Sequence, residues 1–216
     1  MKKILITGGS GFIAQNLINY LRAKNYDTWF ISRSLSNDPK SIQVDFTEYF
    51  KLKEKLKNTD FDAIIHCAAH IPEPENKLDK DLCQKVNFNG TYNLLEHAVA
   101  NNIKSFIYLS SLSVYNGSKS DFISEKSILC PESDYALSKA SAEFLCRLYN
   151  KKYNLKTLIL RIGTVYGLGM KKNRMINYFI EKCFNNEDIE VYDSNLVINT
   201  VYCGKGYRKV NRLWLR

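Results

Sequence analysis

Two kinds of hydrophobic pattern alternate along the chain. Short apolar runs, typical of strands buried in a parallel sheet, alternate with stretches in which apolar residues recur every three or four positions, as in amphipathic helices. The runs predict strands over residues 4–6, 28–32, 42–46, 62–69, 105–109, 156–162 and 189–192. The periodic stretches predict helices from residue 12, over 47–57, over 80–101, from 134 and over 173–184, with a loop over 164–169. Strands that alternate with helices predict an α/β fold built on a doubly wound parallel sheet.

A glycine-rich turn joins the first predicted strand to the first predicted helix. Gly8 allows the sharp turn, and Gly11, which has no Cβ, lets the backbone approach a pyrophosphate. Ala14 is small enough for the helix to pack closely on the strand. The unpaired N–H groups at the start of the helix would attract phosphates. The turn therefore predicts a dinucleotide site, against the plainer interpretation of a simple strand-to-helix connection.

The ends of the next strands bear on which cofactor binds. Ser32 and Arg33 stand where an acidic residue would hold a ribose 2′-hydroxyl. A hydroxyl and a guanidinium suit a 2′-phosphate, so the sequence favours NADP over NAD; the alternative is an exposed loop arginine. Asp45 is a candidate acceptor for the adenine amino group. The small residues 67–69 leave room for a ligand, and we interpret His66 as a core histidine rather than a catalyst.

Tyr135 and Lys139 are four residues apart in a helical pattern, which puts them one turn apart on one helix face. A phenol has a pKa of about 10, which must fall by roughly 3 units, or about 4 kcal/mol, for it to act as a base at neutral pH. The Lys139 ammonium and a positive nicotinamide ring would both lower that pKa, and Lys139 can also hold the nicotinamide ribose. Ser111, after the fifth predicted strand, would polarise the same substrate oxygen. These residues predict acid–base chemistry coupled to hydride transfer.

Composition narrows the class of protein. The 216 residues, 45% of them hydrophobic, suffice for one large domain or slightly more. The six cysteines form no C-x-x-C pair, and the three histidines are not spaced with them as metal ligands, so we expect reduced thiols, no metal and a cytoplasmic location. The apolar runs are too short to span a membrane, and no signal-peptide pattern opens the chain.

The net charge of +9 raises the question of nucleic acid. Residues 194–216 contain no acidic residue and carry five of the excess positive charges. The other basic residues are spread out, which favours an anionic small molecule over nucleic acid. A nucleic-acid-binding protein that uses this tail stays as an alternative.

Six motifs occur together: TGGSGFI at 7–13, IHCAA at 65–69, NFNGT at 87–91, SSLSVY at 110–115, YALSK at 135–139 and RIGTVYG at 161–167. In their order and spacing over residues 1 to about 192, the chain resembles the extended short-chain dehydrogenase/reductase family, in its nucleotide-sugar epimerase/dehydratase branch. The resemblance implies Ser111, Tyr135 and Lys139 as the catalytic triad, with Asn87 as a structural or proton-relay residue behind them. It implies a cofactor site lined by Gly8, Gly11, Phe12, Ile13, Arg33, Asp45, Phe46, Ala68, Tyr135 and Lys139.

Three departures from the family pattern matter. The third glycine is Ala14, which the helix contact tolerates. The dehydratases carry an acidic pair just after the catalytic hydroxyl residue, and this chain has Leu112 and Ser113 there, which argues against dehydration. Epimerisation and reduction of a keto-sugar both stay open. Ile162 replaces a proline, which is a mild change.

The resemblance also predicts the domains. We expect a Rossmann-like, NAD(P)-binding domain over residues 1–163, an incomplete C-terminal substrate lobe over 164–203 and a basic tail over 204–216. Family members continue further, and the last residues follow no family pattern. We therefore expect a C-terminally truncated product with an out-of-frame tail; the alternative is a short natural variant with a basic tail.

The sequence thus predicts an NAD(P)-dependent oxidoreductase or epimerase that acts on a nucleotide-activated sugar, with Tyr135 as general acid and base. The alternative is a catalytically impaired or truncated cofactor-binding module, such as a sensor. The resemblance further suggests a homodimer that pairs through the helices carrying Lys80 and Tyr135, with no membrane partner.

Overall fold

A six-stranded parallel sheet organises the first part of the computed structural model, which describes residues 2–72, 79–118, 122–171, 174–190 and 199–203. The strands are β1 (Lys3–Thr7), β2 (Asp27–Ser32), β3 (Ser41–Gln43), β4 (Ala63–His66), β5 (Ser105–Ser111) and β6 (Lys156–Ile162). Their order is β3-β2-β1-β4-β5-β6, and every neighbouring pair is parallel. The predicted doubly wound parallel sheet is confirmed. The strand order reverses between β1 and β4, and ligands of such sheets bind where the order reverses, at the carboxyl ends of the strands.

Helices cover the connections between these strands. They are α1 (Phe12–Ala23), α2 (Tyr49–Lys55), α3 (Asp79–Leu82), α4 (Gly90–Ala100) and α5 (Asp134–Tyr153), with a π-helical stretch at Cys83–Asn89 and a 3₁₀ turn at Leu112–Tyr115. The single helix predicted over 80–101 is therefore three consecutive pieces, with the π-helical stretch between α3 and α4. The apolar periodicity could not reveal the π-helical stretch, because this stretch still turns the same residues inward as an α-helix would.

The third strand is shorter than the predicted 42–46 because Asp45 begins a turn. One Asp45 carboxylate oxygen accepts hydrogen bonds from the Thr47 backbone N–H at 2.9 Å and from the Thr47 hydroxyl at 2.8 Å. Val44 and Phe46 leave the sheet but remain buried in the core. The alternating pattern therefore indicates that residues 44 and 46 are buried, and it does not indicate that they pair in a strand.

The fourth strand is also shorter than the predicted 62–69. It ends at His66, and the Ala68 N–H donates to the side-chain hydroxyl of Thr7 on β1 at 3.2 Å rather than to a backbone carbonyl. The sheet core lies on β1, β4 and β5, where Ile4, Ile64 and Phe106 are fully buried. No helix in the described part of the chain combines the length and hydrophobicity needed to cross a bilayer.

Five helices are followed by an asparagine with a left-handed backbone. These are Asn25, Asn58, Asn102, Asn154 and Asn186, with φ between 53° and 64°. Asparagine tolerates this conformation better than most residues, and it ends a helix without a glycine.

The chain divides into two compact units, Met1–Ile162 and Gly163–Arg216. Within the second, β7 (Thr164–Tyr166) pairs in parallel with β8 (Thr200–Tyr202), and the Thr164 N–H donates to the Asn199 carbonyl at 2.9 Å. The loop predicted over 164–169 was wrong for its first three residues. Helix α6 (Met175–Phe184) buries none of its side chains.

Other predictions for this unit fall partly or wholly outside the described residues. Of the strand predicted over 189–192, Ile189 and Glu190 belong to no regular element, and the other two residues lie outside. The first residue of the helix predicted from 173 and the basic tail over 204–216 also lie outside the described residues.

Candidate active site

The glycine turn after β1 has the geometry that the sequence predicts for a phosphate-binding loop. Gly8 has a φ of +75°, and a Cβ there would lie 2.8 Å from the Cα of Ala68. The Gly11 N–H donates to the Gly8 carbonyl at 2.8 Å, and Gly11 caps α1 without a side-chain hydrogen bond. Phe12 and Ile13, half-buried, form the first turn of α1. The start of this helix therefore presents backbone N–H groups beside a turn in which three of the four residues are glycine.

Gly9 is a requirement of this turn that the sequence analysis missed. A Cβ at Gly9 would lie 2.0 Å from the ring of Phe30 on β2, so only glycine fits there. Ala68, on the other side of the turn, touches Gly8 closely enough that a larger turn residue would push β1 and the segment after β4 apart. The predicted cofactor residues Gly8, Gly11 and Ala68 thus lie together.

The end of β2 presents Arg33 to solvent but turns Ser32 inward. Ser32 is buried, and its hydroxyl accepts a hydrogen bond from the Ser34 N–H at 3.1 Å. Arg33 is exposed, and its carbonyl accepts a hydrogen bond from the Gln43 side chain at 3.1 Å. Of the two residues considered for a 2′-phosphate, only Arg33 offers its side chain.

Asp45 and Phe46 face different environments. One Asp45 oxygen is committed to Thr47, as described above, and Asp45 is half-buried. Phe46 is buried: its ring packs edge-on against His66 with centroids 5.5 Å apart, and a Cβ at Gly90 would lie 2.4 Å from it. The side chain of Phe46 is therefore a core element, and a cofactor contact at this position would have to use its backbone.

Lys139 is buried on the face of α5 that turns toward β5. Only 2% of its surface is exposed, and its Nζ lies 4.3 Å from the ring centroid of Tyr108. Tyr135, one turn earlier and half-buried, interacts electrostatically with the same Tyr108. Burial lowers the pKa of Lys139 from its ordinary value of 10.5 to about 7. The predicted pair therefore shares one neighbour on β5.

Ser111 ends β5 and caps the 3₁₀ turn that follows. Its hydroxyl accepts hydrogen bonds from the Ser113 N–H at 3.1 Å and from the Ser113 hydroxyl at 2.9 Å. Ser111 lies three residues beyond Tyr108 on the same strand. Ser111 therefore lies at the carboxyl end of β5, where the turn that follows orients its hydroxyl.

Asn87 ties the π-helical stretch to two other segments. Its side-chain oxygen accepts from the His70 N–H at 2.7 Å, and its amide nitrogen donates to the His70 carbonyl at 3.0 Å and to the Ser138 hydroxyl at 3.0 Å. The Ser138 hydroxyl in turn donates to the Tyr135 carbonyl at 2.8 Å. Asn87 thus holds the first turn of α5 against the segment that follows β4.

His66 is a core histidine with both ring nitrogens hydrogen-bonded. Its Nδ1 lies 2.6 Å from the Thr7 hydroxyl, and its Nε2 lies 3.0 Å from the Thr91 hydroxyl. Thr91 donates its hydrogen to the Asn87 carbonyl at 2.6 Å, so it must accept from Nε2–H. Nδ1 is then the acceptor for Thr7, and burial keeps His66 neutral by lowering its pKa. These bonds join the glycine turn to Asn87.

Comparison with known proteins agrees with this geometry. A model described as the NAD dependent epimerase/dehydratase family matches residues 4–206. The chain is 30% identical over 212 residues to an uncharacterized protein of Methanocaldococcus jannaschii, a match that covers 89% of this chain and 65% of that one. It is 30% identical over 223 residues to the dTDP-D-glucose 4,6-dehydratase of Dictyostelium discoideum, covering 89% of this chain and 50% of that one.

A solved structure is similar over most of the chain. It is the UDP-glucuronic acid 4-epimerase of Bacillus cereus in complex with UDP-glucuronic acid and NAD, with a TM-score of 0.81 and 27% identity. The match covers 98% of this chain and 73% of that one. The chain spans less than two thirds of the length of both curated relatives above, 65% of one and 50% of the other.

Proposed function

The chain belongs to the NAD dependent epimerase/dehydratase family, and on this premise we propose that it is an NAD(P)-dependent enzyme that acts on a nucleotide-activated sugar by hydride transfer. The observation that carries the proposal is the burial of Lys139 beside Tyr108, on the helix face that also bears Tyr135. Burying an amine is costly, and groups with strongly perturbed pKa values concentrate at functional sites. The relatives named above include an epimerase and a dehydratase of nucleotide sugars.

The glycine turn fits a dinucleotide. A Cβ at Gly8 would fill the space beside Ala68, and the uncapped start of α1 at Gly11 suits a pyrophosphate. Phe12 and Ile13 would line the site with backbone N–H groups. We assign cofactor binding to residues 1–163 and part of the substrate lobe to residues 164–203.

Tyr135 is the proposed general acid and base. When bound, the nicotinamide would exchange hydride with a sugar carbon. Tyr135 would take the proton from the matching hydroxyl, or return it to the ketone, and the Lys139 ammonium would stabilise the phenolate. Because Ser111 accepts both hydrogen bonds from Ser113, its own O–H is the donor that would polarise the sugar oxygen.

Elimination of water is not part of the proposal. It would need an acid next to Ser111, and Leu112 instead packs against the small apolar cluster of Val114 and Ala140. Ser113 donates to Ser111. Neither side chain can protonate a leaving hydroxyl at neutral pH, so we propose epimerisation or keto-sugar reduction.

For the cofactor, we propose a preference for NADP that depends on Arg33. Its exposed guanidinium suits a 2′-phosphate, whereas the solved relative holds NAD. Replacing Arg33 with alanine should weaken NADPH binding at least tenfold and leave NADH binding nearly unchanged. Equal weakening of both cofactors, or tighter binding of NADH by the unaltered protein, would contradict the preference.

We also propose a homodimer that pairs through α5 and α4. Leu137, Phe144 and Leu148 form a stripe on α5 and are 54%, 59% and 52% exposed. Tyr92 on α4 is also exposed. Apolar side chains at this spacing on a helix surface suit a partner helix.

The experiment that tests the function is a titration with NADPH and NADH, followed by turnover assays with UDP-, GDP- and dTDP-linked sugars and their keto forms. We expect cofactor binding and turnover of one class of sugar. Cofactor binding without turnover of any of these sugars would instead indicate a cofactor-binding module without catalysis, and absence of binding would overturn the proposal.

A further inference from the structure

A buried ion pair lies one helical turn beyond Lys139. Glu143 is fully buried on α5, and Arg161 of β6 binds its carboxylate with two nitrogens, Nε at 2.9 Å from Oε1 and Nη2 at 2.6 Å from Oε2. Arg147, half-exposed, lies 3.7 Å from the same carboxylate. A two-pronged bond of this kind fixes the carboxylate in orientation as well as in charge.

Arg161 also reaches the segment that begins at Ser111. Its Nη1 donates to the hydroxyl of Tyr115, which ends the 3₁₀ turn, and to the Glu125 carbonyl at 3.1 Å. The Tyr115 hydroxyl donates to the Ser124 carbonyl at 2.9 Å, and the guanidinium lies 4.9 Å from the Tyr115 ring centroid. One side chain on β6 therefore holds both α5 and the segment that follows β5.

Several ionisable groups face Lys139 from the elements packed around it. They are Glu143, Cys146 and Tyr135 on α5, Tyr108 on β5, His66 on β4 and Cys67 just after β4.

Burial keeps most of these groups neutral. It raises the pKa of Cys67 to about 12, also raises the pKa values of Cys146 and Tyr108, and lowers the pKa of His66. Glu143 differs because the Arg161 guanidinium binds its carboxylate with two nitrogens. It is therefore an acidic side chain, paired on its far side, one helical turn after Lys139.

Resting on the proposed function, we propose that Glu143 is a positioning residue: held by Arg161, its carboxylate favours the ammonium form of Lys139 that Tyr135 needs, while Arg161 fixes the Ser111 segment against the same helix. Glu143 does not touch the reacting atoms and acts through Lys139. Burial lowers the pKa of Lys139 to about 7, and the negative charge of Glu143 acts in the opposite direction.

The direct test is a pH titration of Lys139 by NMR on protein with ¹³C-labelled lysine, the signal being assigned by its loss in Lys139→Met. In Glu143→Gln we expect the Lys139 midpoint to fall by about one pH unit or more, because an adjacent negative charge is lost. Glu143→Asp, which keeps the charge, should stay close to the unaltered protein. An unchanged midpoint in Glu143→Gln would overturn the proposal.

A second variant distinguishes an effect of Glu143 on the pKa of Lys139 from an effect on the stability of the fold. Glu143→Gln leaves Arg161 buried without its carboxylate, which itself destabilises the fold. The double variant Glu143→Gln with Arg161→Met removes both charges and should recover much of the thermal stability while its Lys139 midpoint stays low. If Glu143→Gln does not fold, the double variant provides the comparison. A midpoint that recovers together with stability would assign the pair a packing role only.

The titration needs neither cofactor nor substrate, so its outcome is separate from that of the proposed function. In a protein that does bind the cofactor, Glu143→Gln should weaken binding at pH 7 several-fold more than at pH 5.5, where Lys139 is protonated in both proteins. Absence of cofactor binding by the unaltered protein would defeat the proposed function, with the NMR result still deciding the role of Glu143.

Discussion

At the scale of single residues, Lys139 dominates the electrostatics of the site. The Lys139 ammonium loses most of its hydration at this position. A cation–π interaction with the Tyr108 ring compensates for part of the lost hydration energy. The pKa of about 7 means that the folded protein releases this proton more than three pH units below an unfolded lysine, whose pKa is about 10.4.

This difference predicts that stability rises with pH just above neutrality. Between pH 7 and about 8.5 the unfolded chain keeps the Lys139 proton while the folded chain loses it, so the free energy of unfolding should increase by up to about 1.4 kcal/mol per pH unit. Toward pH 8.5 the buried thiols of Cys67 and Cys146, which ionise in the unfolded chain with a pKa of about 8.5, increasingly oppose the rise. Urea unfolding at pH 7.0, 7.75 and 8.5 measures this dependence of the free energy of unfolding on pH.

The control is Lys139→Met, which removes the titrating group and should lower the slope in this window by up to about 1.4 kcal/mol per pH unit. His66 and His97, whose pKa values burial lowers, still titrate in the unfolded chain near pH 7, but they do so equally in both proteins, so the difference in slope isolates Lys139. Equal slopes in the two proteins would show that Lys139 stays protonated when folded.

Tyr135 carries the second residue-scale prediction. Replacing Tyr135 with phenylalanine removes the proposed acid and base but keeps the ring, so we expect kcat to fall by roughly 10²- to 10⁴-fold with little change in the cofactor Kd. Tyr153→Phe, on the same helix and 41% exposed, is the matched control and should keep normal turnover. Near-normal turnover in the Tyr135 variant would refute the assignment.

The sequence could identify Tyr135 and Lys139 because their partnership is local, one helical turn apart. It could not identify Tyr108 as the neighbour of Lys139, or Arg161 as the partner of Glu143, since these contacts depend on how β5 and β6 lie beside α5. The same helical spacing places Glu143 one turn after Lys139, so its position could also be predicted. Its burial could not, because it depends on Arg161 on β6.

At the scale of elements, the left-handed asparagines that follow the helices lead to a prediction of stability. Asn154 follows α5 with a φ of 53°, a conformation that costs most residues roughly 1 kcal/mol and glycine almost nothing. Asn154→Ala should therefore lower the free energy of unfolding by about 1 kcal/mol, and Asn154→Gly should leave it unchanged or raise it slightly. Urea denaturation of the two variants, which differ by one methyl group, checks this; equal effects would contradict it.

Element boundaries were the weaker part of the sequence prediction, and the causes are local side-chain hydrogen bonds. Asp45 turns the chain out of β3, and Thr7 captures the Ala68 N–H after β4. Strand β7 was missed because its partner, β8, is distant along the chain, although both contain the same Thr-Val-Tyr triplet. The alternation of apolar residues indicates which residues are buried, but it does not show where a side-chain hydrogen bond ends a strand or which distant segment pairs with it.

At the scale of the whole molecule, the alternation of strands and helices was enough to predict the doubly wound parallel sheet, since such a chain has few other ways to bury its apolar strands. The site follows from that topology because β1, β4 and β5 are adjacent and end at one edge of the sheet.

The exposed stripe on α5 gives the prediction at this scale. Replacing Phe144 with glutamate places a charge in the proposed helix-to-helix interface and should convert a dimer to a monomer in light scattering. The control is Lys151→Glu, an exposed change of charge near the end of the same helix. A monomeric unaltered protein, or a dimer that survives the Phe144 change, would contradict the interface.

The hydrogen bonds around His66 have a further consequence for acidic solutions. Thr7 and Thr91 are satisfied only while the ring keeps one hydrogen, so a second proton on Nδ1 would confront the Thr7 hydroxyl with a donor where it needs an acceptor. Because the unfolded chain accepts that proton near pH 6.5 and the folded chain resists it, acidification draws the protein toward unfolding at the point where the glycine turn meets its neighbours. Acidic solutions should therefore destabilise the glycine turn that we propose holds the cofactor.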